Sequence, residues 1–319
     1  MMSVAKLSLT VPPLLSRYHV DRADELRADE TALDAAWATA KVLRIDPRGR
    51  FDLDDTDLVF ARGHEVAPSR PADAVLLGRV DGAVVFALRV DVFDGADLRM
   101  RGHLLSAVDS ALLAQALGIL NWHATAGFSP VDGAPTLPGK AGWVRSTADG
   151  REEFPRTDGA MITLVHDGGD HVLLGRQHQW PERLFSLFAG FVEPGESLEQ
   201  CVARELHEEA GIEVDEITYV ASQPWPFPRS LMLGFTARAL RDAVLDFRDG
   251  EIAEARWFSR WEVRDALAAG DWSTDAPDAP LLLPNSISIA RAITEAWGGA
   301  VGLHPDLHPR AEALGPPRS

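Results

Sequence analysis

The chain has a single cysteine in 319 residues, which excludes an intramolecular disulfide. We expect Cys201 to fill core space, since it lies on the inner face of a predicted helix. No apolar run approaches the roughly 20 residues that a transmembrane helix needs. Residues 1–20 contain an early Pro-Pro pair and lack the apolar stretch of a signal peptide. The sequence therefore predicts a cytoplasmic protein of two domains that has no membrane partner.

Positive charge is scarce. The chain has 31 Lys and Arg against 48 Asp and Glu, giving a formal net charge of −17. A general nucleic-acid binder is normally basic, so that class is disfavoured. A nucleotide enzyme is not, because a bound metal ion can supply the local positive charge.

Residues 190–212 read GFVEPGESLEQCVARELHEEAGI, a glycine-rich loop followed by a helix. Ser197 and Gln200 form a capping-box pattern, and Gly211 is placed to end the helix. At about 100° per residue, Leu198, Val202, Glu205 and Glu209 share the inner stripe. The predicted helix face therefore begins apolar and ends in carboxylates.

Buried carboxylates are costly unless they are paired, and several together repel one another. Arg204 can pair with Glu208 one turn away, but one arginine cannot neutralise three acids. Hard divalent cations can, because Mg²⁺ and Mn²⁺ favour carboxylate oxygen. The alternative is an ordinary acidic surface helix.

This stretch resembles the Nudix hydrolase box at the positions that define it, which are Gly190, Glu196, Arg204, Glu205, Leu206, His207, Glu208, Glu209, Ala210, Gly211 and Ile212. The resemblance implies hydrolysis of a nucleoside diphosphate linked to another group. It implies metal binding by Glu205, Glu208 and Glu209, with Arg204 orienting the carboxylates. It also implies an α/β/α sandwich with a mixed sheet.

Residues 222–230 read SQPWPFPRS. Composition alone permits a plain proline-rich connection or a rigid aromatic surface for a flat ligand. The motif is similar to that of the NADH pyrophosphatase branch of Nudix hydrolases. That resemblance implies NAD(H) as substrate, split at the pyrophosphate to nicotinamide mononucleotide and AMP. Bacterial members can also remove NAD caps from RNA.

The resemblance also implies site residues outside the box helix. Glu251 matches an additional metal ligand, with Glu254 as its rival. Within the box helix, we expect replacement of Glu209 to reduce the activity more than any other single substitution. Phe154 stands where relatives often have a tyrosine that is contributed across a homodimer, and phenylalanine keeps the stacking face but loses the hydroxyl contact. The implied substrate-binding residues are Phe191, Gln223, Trp225, Phe227, Ser230, Ala290 and Phe154.

The predicted domains are an N-terminal α/β domain over 1–120, a linker over 121–155, a Nudix domain over 156–300 and a tail over 301–319. The linker resembles a zinc ribbon whose cysteines are missing: the ligand positions fall on Ser129, Asp132, Ser146 or Thr147, and Asp149. Serine is a poor zinc ligand, so no structural zinc is expected. The alternative is weak metal binding by Asp132, Asp149 and the nearby His123. We expect the ribbon to be stabilised by packing around Trp143 and Phe128.

Local patterns predict helices over residues 31–42, 106–123, 260–269 and 286–297, and a hairpin over 74–78 and 83–90 that turns at Asp81-Gly82. Strands are predicted over 161–165, 171–174, 216–221, 231–240 and 255–258.

Two other functions remain open: a non-catalytic nucleotide sensor, and a broader ADP-ribose or dinucleotide hydrolase.

Overall fold

The computed structural model describes residues 7–91, 95–248, 250–272 and 279–299. The predicted tail over 301–319 lies outside them. The chain forms two compact units. One comprises residues 15–157 and 224–230, and the other comprises 1–14, 158–223 and 231–319. No helix within the described ranges is long and apolar enough to cross a membrane.

The unit that contains residues 15–157 has nine strands and four α-helices in its described part. The strands are β1 (Lys41–Ile45), β2 (Leu53–Asp54), β3 (Asp57–Leu58), β4 (Ala61–Arg62), β5 (Val75–Val80), β6 (Ala83–Arg89), β7 (Leu137–Gly139), β8 (Val144–Ser146) and β9 (Glu152–Glu153). The helices are α1 (Glu30–Trp37), α2 (Gly63–Val66), α3 (Leu98–Arg101) and α4 (Ala107–Thr125). The main sheet has the order β4-β1-β6-β5, with β1 and β6 parallel.

The hairpin and the helix predicted over 106–123 are confirmed as β5–β6 and α4. The helix predicted over 31–42 is wrong at its C-terminal end. Helix α1 ends at Trp37, and Val42 pairs with both β4 and β6. Val42 and Leu43 are fully buried in that sheet. Pairing with distant strands overrides the local helix propensity of the alanine-rich segment.

The ribbon-like segment forms the three-stranded sheet β7-β8-β9. Trp143 packs as predicted: its Nε1 donates to Leu76 O at 2.8 Å, and the Arg27 guanidinium lies 4.0 Å from its ring centroid. The predicted packing around Phe128 is wrong, because that side chain is 67% exposed. Polar residues stabilise this part of the ribbon instead.

Arg151 lies among the residues at the ribbon's predicted ligand positions. Its Nη2 is 2.9 Å from an Asp132 oxygen and 3.4 Å from an Asp149 oxygen. Its Nη1 donates to Ser129 Oγ at 3.3 Å. Ser129 is buried and donates in turn to Glu153 at 2.9 Å. A guanidinium of the chain itself therefore supplies the positive charge in this cluster.

The other unit has six strands and three helices in its described part. They are β10 (Asp158–His166), β11 (His171–Gln177), β12 (Phe188–Phe191), α5 (Leu198–Ala210), β13 (Val214–Trp225), β14 (Ser230–Ala239), β15 (Ile252–Ser259), α6 (Arg260–Ala269) and α7 (Ile289–Gly298). The sheet has the order β13-β14-β10-β11-β15, and β12 pairs with β10. The strands and helices predicted here are confirmed, with shifted ends.

Alternation along β10 divides the hydrophobic core of this unit into two layers. Met161 and Val165 pack with α5, whereas Ile162 and Leu164 pack with α6 and α7. The sheet thus lies between one helix on one face and two on the other, which is the predicted α/β/α sandwich. The sandwich presents α5 next to β12, where the box begins.

Candidate active site

The box helix has both predicted caps. Ser197 Oγ accepts from Gln200 N at 3.2 Å, and Gln200 Oε1 accepts from Ser197 N at 2.7 Å. Gly211 ends the helix in the left-handed region, with φ of 69°. These caps satisfy terminal backbone groups of α5 and fix where the helix begins and ends.

The predicted inner stripe of α5 is confirmed. Val202 is fully buried, and Glu209 at the end of the stripe is only 3% exposed. The Glu205 side chain is 13% exposed, whereas that of Glu208 is 50% exposed. The helix therefore carries a graded set of carboxylates from the core to the solvent.

Arg204 is the centre of the charge network. Its guanidinium lies 2.7 Å from Glu196, 3.0 Å from Glu205 and 3.0 Å from Glu208. It also donates to the backbone oxygen of Phe191 at 3.0 Å. One planar side chain thus ties the loop before the helix to two carboxylates on the helix.

The loop approaches the helix closely at Gly190. A Cβ atom there would lie 2.0 Å from the carboxylate carbon of Glu205. Only glycine leaves room for that carboxylate, which explains the first position of the box.

Burial raises the pKa of Glu205, Arg204 lowers it, and the charges of Glu208 and Glu251 raise it further. Glu251 is thus electrostatically coupled to the box. Its rival Glu254 instead pairs with Arg176 and Arg256 on the sheet. This division favours Glu251 as the additional acid.

Two neighbours of the carboxylates are held in fixed protonation states. Arg204 holds the pKa of Glu196 down at about 2, so that carboxyl stays ionised. Burial and the nearby Glu196 raise the pKa of the Cys201 thiol to about 12. Cys201 is therefore a neutral core residue, and its expected role as core filler is confirmed.

Carboxylate oxygens are the ligands that Mg²⁺ and Mn²⁺ prefer, so the donor chemistry of the box fits such ions. As the side chains lie, the described part of the chain contains no group of three or more His, Cys, Asp or Glu poised around a metal position. Glu205 and Glu208 point to Arg204 instead.

Three predicted substrate-binding residues lie in the same unit as the box. Phe191 directly follows Gly190 and its side chain is 59% exposed. Gln223 is fully buried: its Nε2 donates to Ile287 O at 3.0 Å, and its Oε1 has no hydrogen-bond partner among the described residues. Ala290 is buried in the first turn of α7, where its N–H is capped by Ser288 Oγ.

The remaining predicted substrate-binding residues lie in the other unit. The rings of Trp225 and Phe227 meet edge to face with centroids 4.9 Å apart. Ser230 is buried, whereas Phe154 is 62% exposed.

The structure adds two residues that the sequence did not point to. Asn121 donates hydrogen bonds to the backbone oxygens of Pro226 and Pro228, within the motif at residues 222–230. The Arg99 guanidinium lies 4.3 Å from the ring centroid of Phe227. Both residues lie more than a hundred positions upstream of that segment, so no local spacing could have identified them.

Comparisons with known proteins show the family to which the chain belongs. A model of the NUDIX domain matches residues 155–277, and a model of the NADH pyrophosphatase-like rudimentary NUDIX domain matches residues 35–122. The NAD-capped RNA hydrolase NudC of Mycobacterium bovis (strain BCG / Pasteur 1173P2) is 52% identical over 296 residues, covering 89% of this chain and 94% of that protein. The chain belongs to the Nudix hydrolase family.

Some relatives of this Nudix hydrolase are more distant. An NAD-capped RNA hydrolase of Schizosaccharomyces pombe is 39% identical over 211 residues, covering 60% of this chain and 55% of that protein. A solved NUDIX hydrolase from Nitrosomonas europaea is 24% identical, with a TM-score of 0.35, and covers 41% of this chain and 77% of its own. The predicted resemblance to the NADH pyrophosphatase branch is confirmed by the matched rudimentary domain.

Proposed function

We propose that this Nudix hydrolase cleaves the pyrophosphate of NAD(H), giving nicotinamide mononucleotide and AMP, and that it removes NAD caps from RNA. The observation that carries the proposal is 52% identity with an NAD-capped RNA hydrolase over 94% of that protein's length. The complete Nudix box and the match to the NADH pyrophosphatase-like domain support it.

In this reaction, water adds to one phosphorus and the bond from that phosphorus to the bridging oxygen breaks. A divalent metal, when bound, activates the water and neutralises charge on the leaving phosphate. We assign Glu205, Glu208, Glu209 and Glu251 as its ligands. Arg204 holds the first two in place, and Glu209 either binds the metal or accepts the proton of the attacking water.

For the substrate, we assign the nucleoside contacts to the substrate-binding residues that the family resemblance implies, including those of the motif at residues 222–230. Phe191, exposed next to the box, suits stacking on a base. The buried Gln223 Oε1 suits a donor on the ligand, because an unsatisfied buried acceptor is costly. The full assignment is Phe191, Gln223, Trp225, Phe227, Ser230, Ala290 and Phe154.

The finer assignments belong to the same proposal. We propose Mg²⁺ or Mn²⁺ as the metal, a homodimer to which Phe154 contributes, and action in the cytoplasm. The 62% exposure of Phe154 leaves its ring available to a second copy. The net charge of −17 opposes tight binding to the RNA body, so recognition would centre on the cap.

The test is product analysis with the purified full chain and Mg²⁺ or Mn²⁺, using NADH and NAD-capped RNA at matched salt. Glu209→Gln is the control. We expect reduced nicotinamide mononucleotide and AMP from NADH, and nicotinamide mononucleotide from the RNA, with both activities lost in the control. If NADH is bound but remains intact, the protein is a sensor. If only ADP-ribose is cleaved, the substrate assignment is wrong.

A further inference from the structure

Segment 224–230, in which β13 ends and β14 begins, is poor in hydrogen-bond donors. Its prolines at 224, 226 and 228 have no backbone N–H. The carbonyl groups beside them still need partners, and neighbouring residues of the segment have few N–H groups to offer. The segment must therefore take donors from elsewhere in its unit.

Asn121, on helix α4, supplies two of them. Its Nδ2 donates to Pro226 O at 3.1 Å and to Pro228 O at 2.9 Å. These two carbonyls flank Phe227 in the chain. One amide group thus fixes the backbone on both sides of the aromatic residue that the proposed function places against the nucleoside.

Arg89, on β6, fixes the orientation of this amide. Its Nη2 donates to Asn121 Oδ1 at 2.7 Å, and its Nη1 donates to the backbone oxygen of Asp46. The assignment of oxygen and nitrogen in Asn121 is forced, because only the amide oxygen can accept from a guanidinium and only the NH₂ can serve two carbonyls. Both ends of the side chain are therefore occupied.

Arg99 restrains the rings as Asn121 restrains the backbone. Its guanidinium lies 4.3 Å from the Phe227 centroid and 5.9 Å from the Trp225 centroid. A cation over an aromatic face adds a directional attraction to the packing. The backbone and the ring of Phe227 are thus fixed by two separate side chains.

We propose that Asn121 is a positioning residue that presets the conformation of the nucleotide-binding segment 224–230. This inference rests on the proposed function, which gives that segment its ligand. The carboxylates that carry out hydrolysis lie elsewhere in the chain. Loss of the two hydrogen bonds should therefore weaken ground-state and transition-state binding alike, raising KM while kcat is retained.

The decisive variant is Asn121→Asp, which has the same shape, still accepts from Arg89, and offers no donor to either carbonyl. The matched control is Gln115→Glu, the same change on the same helix. Gln115 Nε2 donates to Leu77 O at 2.6 Å, away from the proline-rich segment. The full-length variants would be compared with wild type in NADH hydrolysis, in NADH binding without divalent metal, and in thermal unfolding.

We expect Asn121→Asp to raise both KM and the Kd for NADH about tenfold, since each lost hydrogen bond contributes about a factor of 2 to 10. We expect kcat to stay within about twofold and the melting temperature to remain near that of wild type. The Gln115→Glu control should leave KM unchanged. Equal effects of both variants on KM, or no effect of Asn121→Asp, would overturn the inference.

The outcomes separate this inference from the proposed function. If wild type binds NADH without cleaving it, the proposed function fails, and the Kd of Asn121→Asp still decides the inference. If wild type cleaves NADH and Asn121→Asp does so with unchanged KM, the inference fails alone. If wild type neither binds nor cleaves NADH, both fail.

Discussion

Replacing Gly190 by alanine should lower kcat strongly without unfolding the protein. A Cβ at this position would lie 2.0 Å from both the carboxylate carbon and Oε1 of Glu205. Carbon atoms in contact prefer about 3.5–4.0 Å, so the carboxylate must move by roughly 1.5–2 Å. A misplacement of about 1 Å in a catalytic group can cost about 100-fold in rate. We expect kcat to fall by at least about 100-fold, which corresponds to about 2.7 kcal/mol.

The matched control is Gly159→Ala, in the strand that pairs with the box glycine's strand. A Cβ there would lie 3.6 Å from Val192 Cγ2, an ordinary contact, so activity should be retained. Steady-state NADH hydrolysis and thermal unfolding would be measured for both variants. Glu205→Gln would be measured beside them, since it removes the carboxylate charge without any clash. A folded Gly190→Ala that keeps more than a tenth of wild-type kcat would refute the reasoning.

Three further predictions concern ionisable side chains. Arg204→Lys keeps the positive charge but loses the planar guanidinium that pairs with several carboxylates, so we expect kcat for NADH to fall about 10- to 100-fold at similar KM. An unchanged kcat would contradict the role of Arg204 in orienting the carboxylates. Arg151→Met should speed limited proteolysis within residues 129–153, whereas Lys140→Met, which removes an exposed ion pair of the same ribbon, should not. Burial and Arg145 lower the pKa of His123, so its neutral form is favoured in the folded state. The stability that it contributes is present above its unfolded pKa of about 6.5 and is lost as pH falls below that value. His123→Gln should therefore flatten the dependence of the melting temperature on pH between about 5 and 7, and an unchanged slope would exclude His123 as the cause.

Features specified by local spacing could be predicted from the sequence. The box helix, its two caps and its inner stripe follow from residues within two dozen positions of one another. The pair of Arg204 with Glu208 is one turn of helix apart, so it too could be predicted. The further reach of Arg204 to Glu196 and to the Phe191 carbonyl depends on how the loop folds back over α5.

Features that depend on distant partners could not be predicted. The end of α1 was misplaced because the strand that follows it is stabilised by pairing with residues more than forty positions away. Of the two rings expected to stabilise the ribbon, Trp143 packs as predicted and Phe128 does not. The contact of Arg151 with Ser129, 22 positions away in the chain, depends on how the ribbon folds. Isolated exposed ion pairs contribute only about 0–1 kcal/mol, so the ribbon depends on several contacts acting together.

No predicted catalytic or substrate-binding residue lies before Phe154, so the sequence assigns the N-terminal part of the chain no role in catalysis or binding. Asn121 gives it a more specific role. Removing helix α4 would leave the carbonyls of Pro226 and Pro228 without their shared donor, and the proline-rich segment cannot replace that donor from its own backbone. The rudimentary domain, whose described residues contain no group of three or more potential metal ligands, can therefore still influence substrate affinity. It does so because it fixes the conformation of a segment whose sequence lies a hundred residues further along the chain.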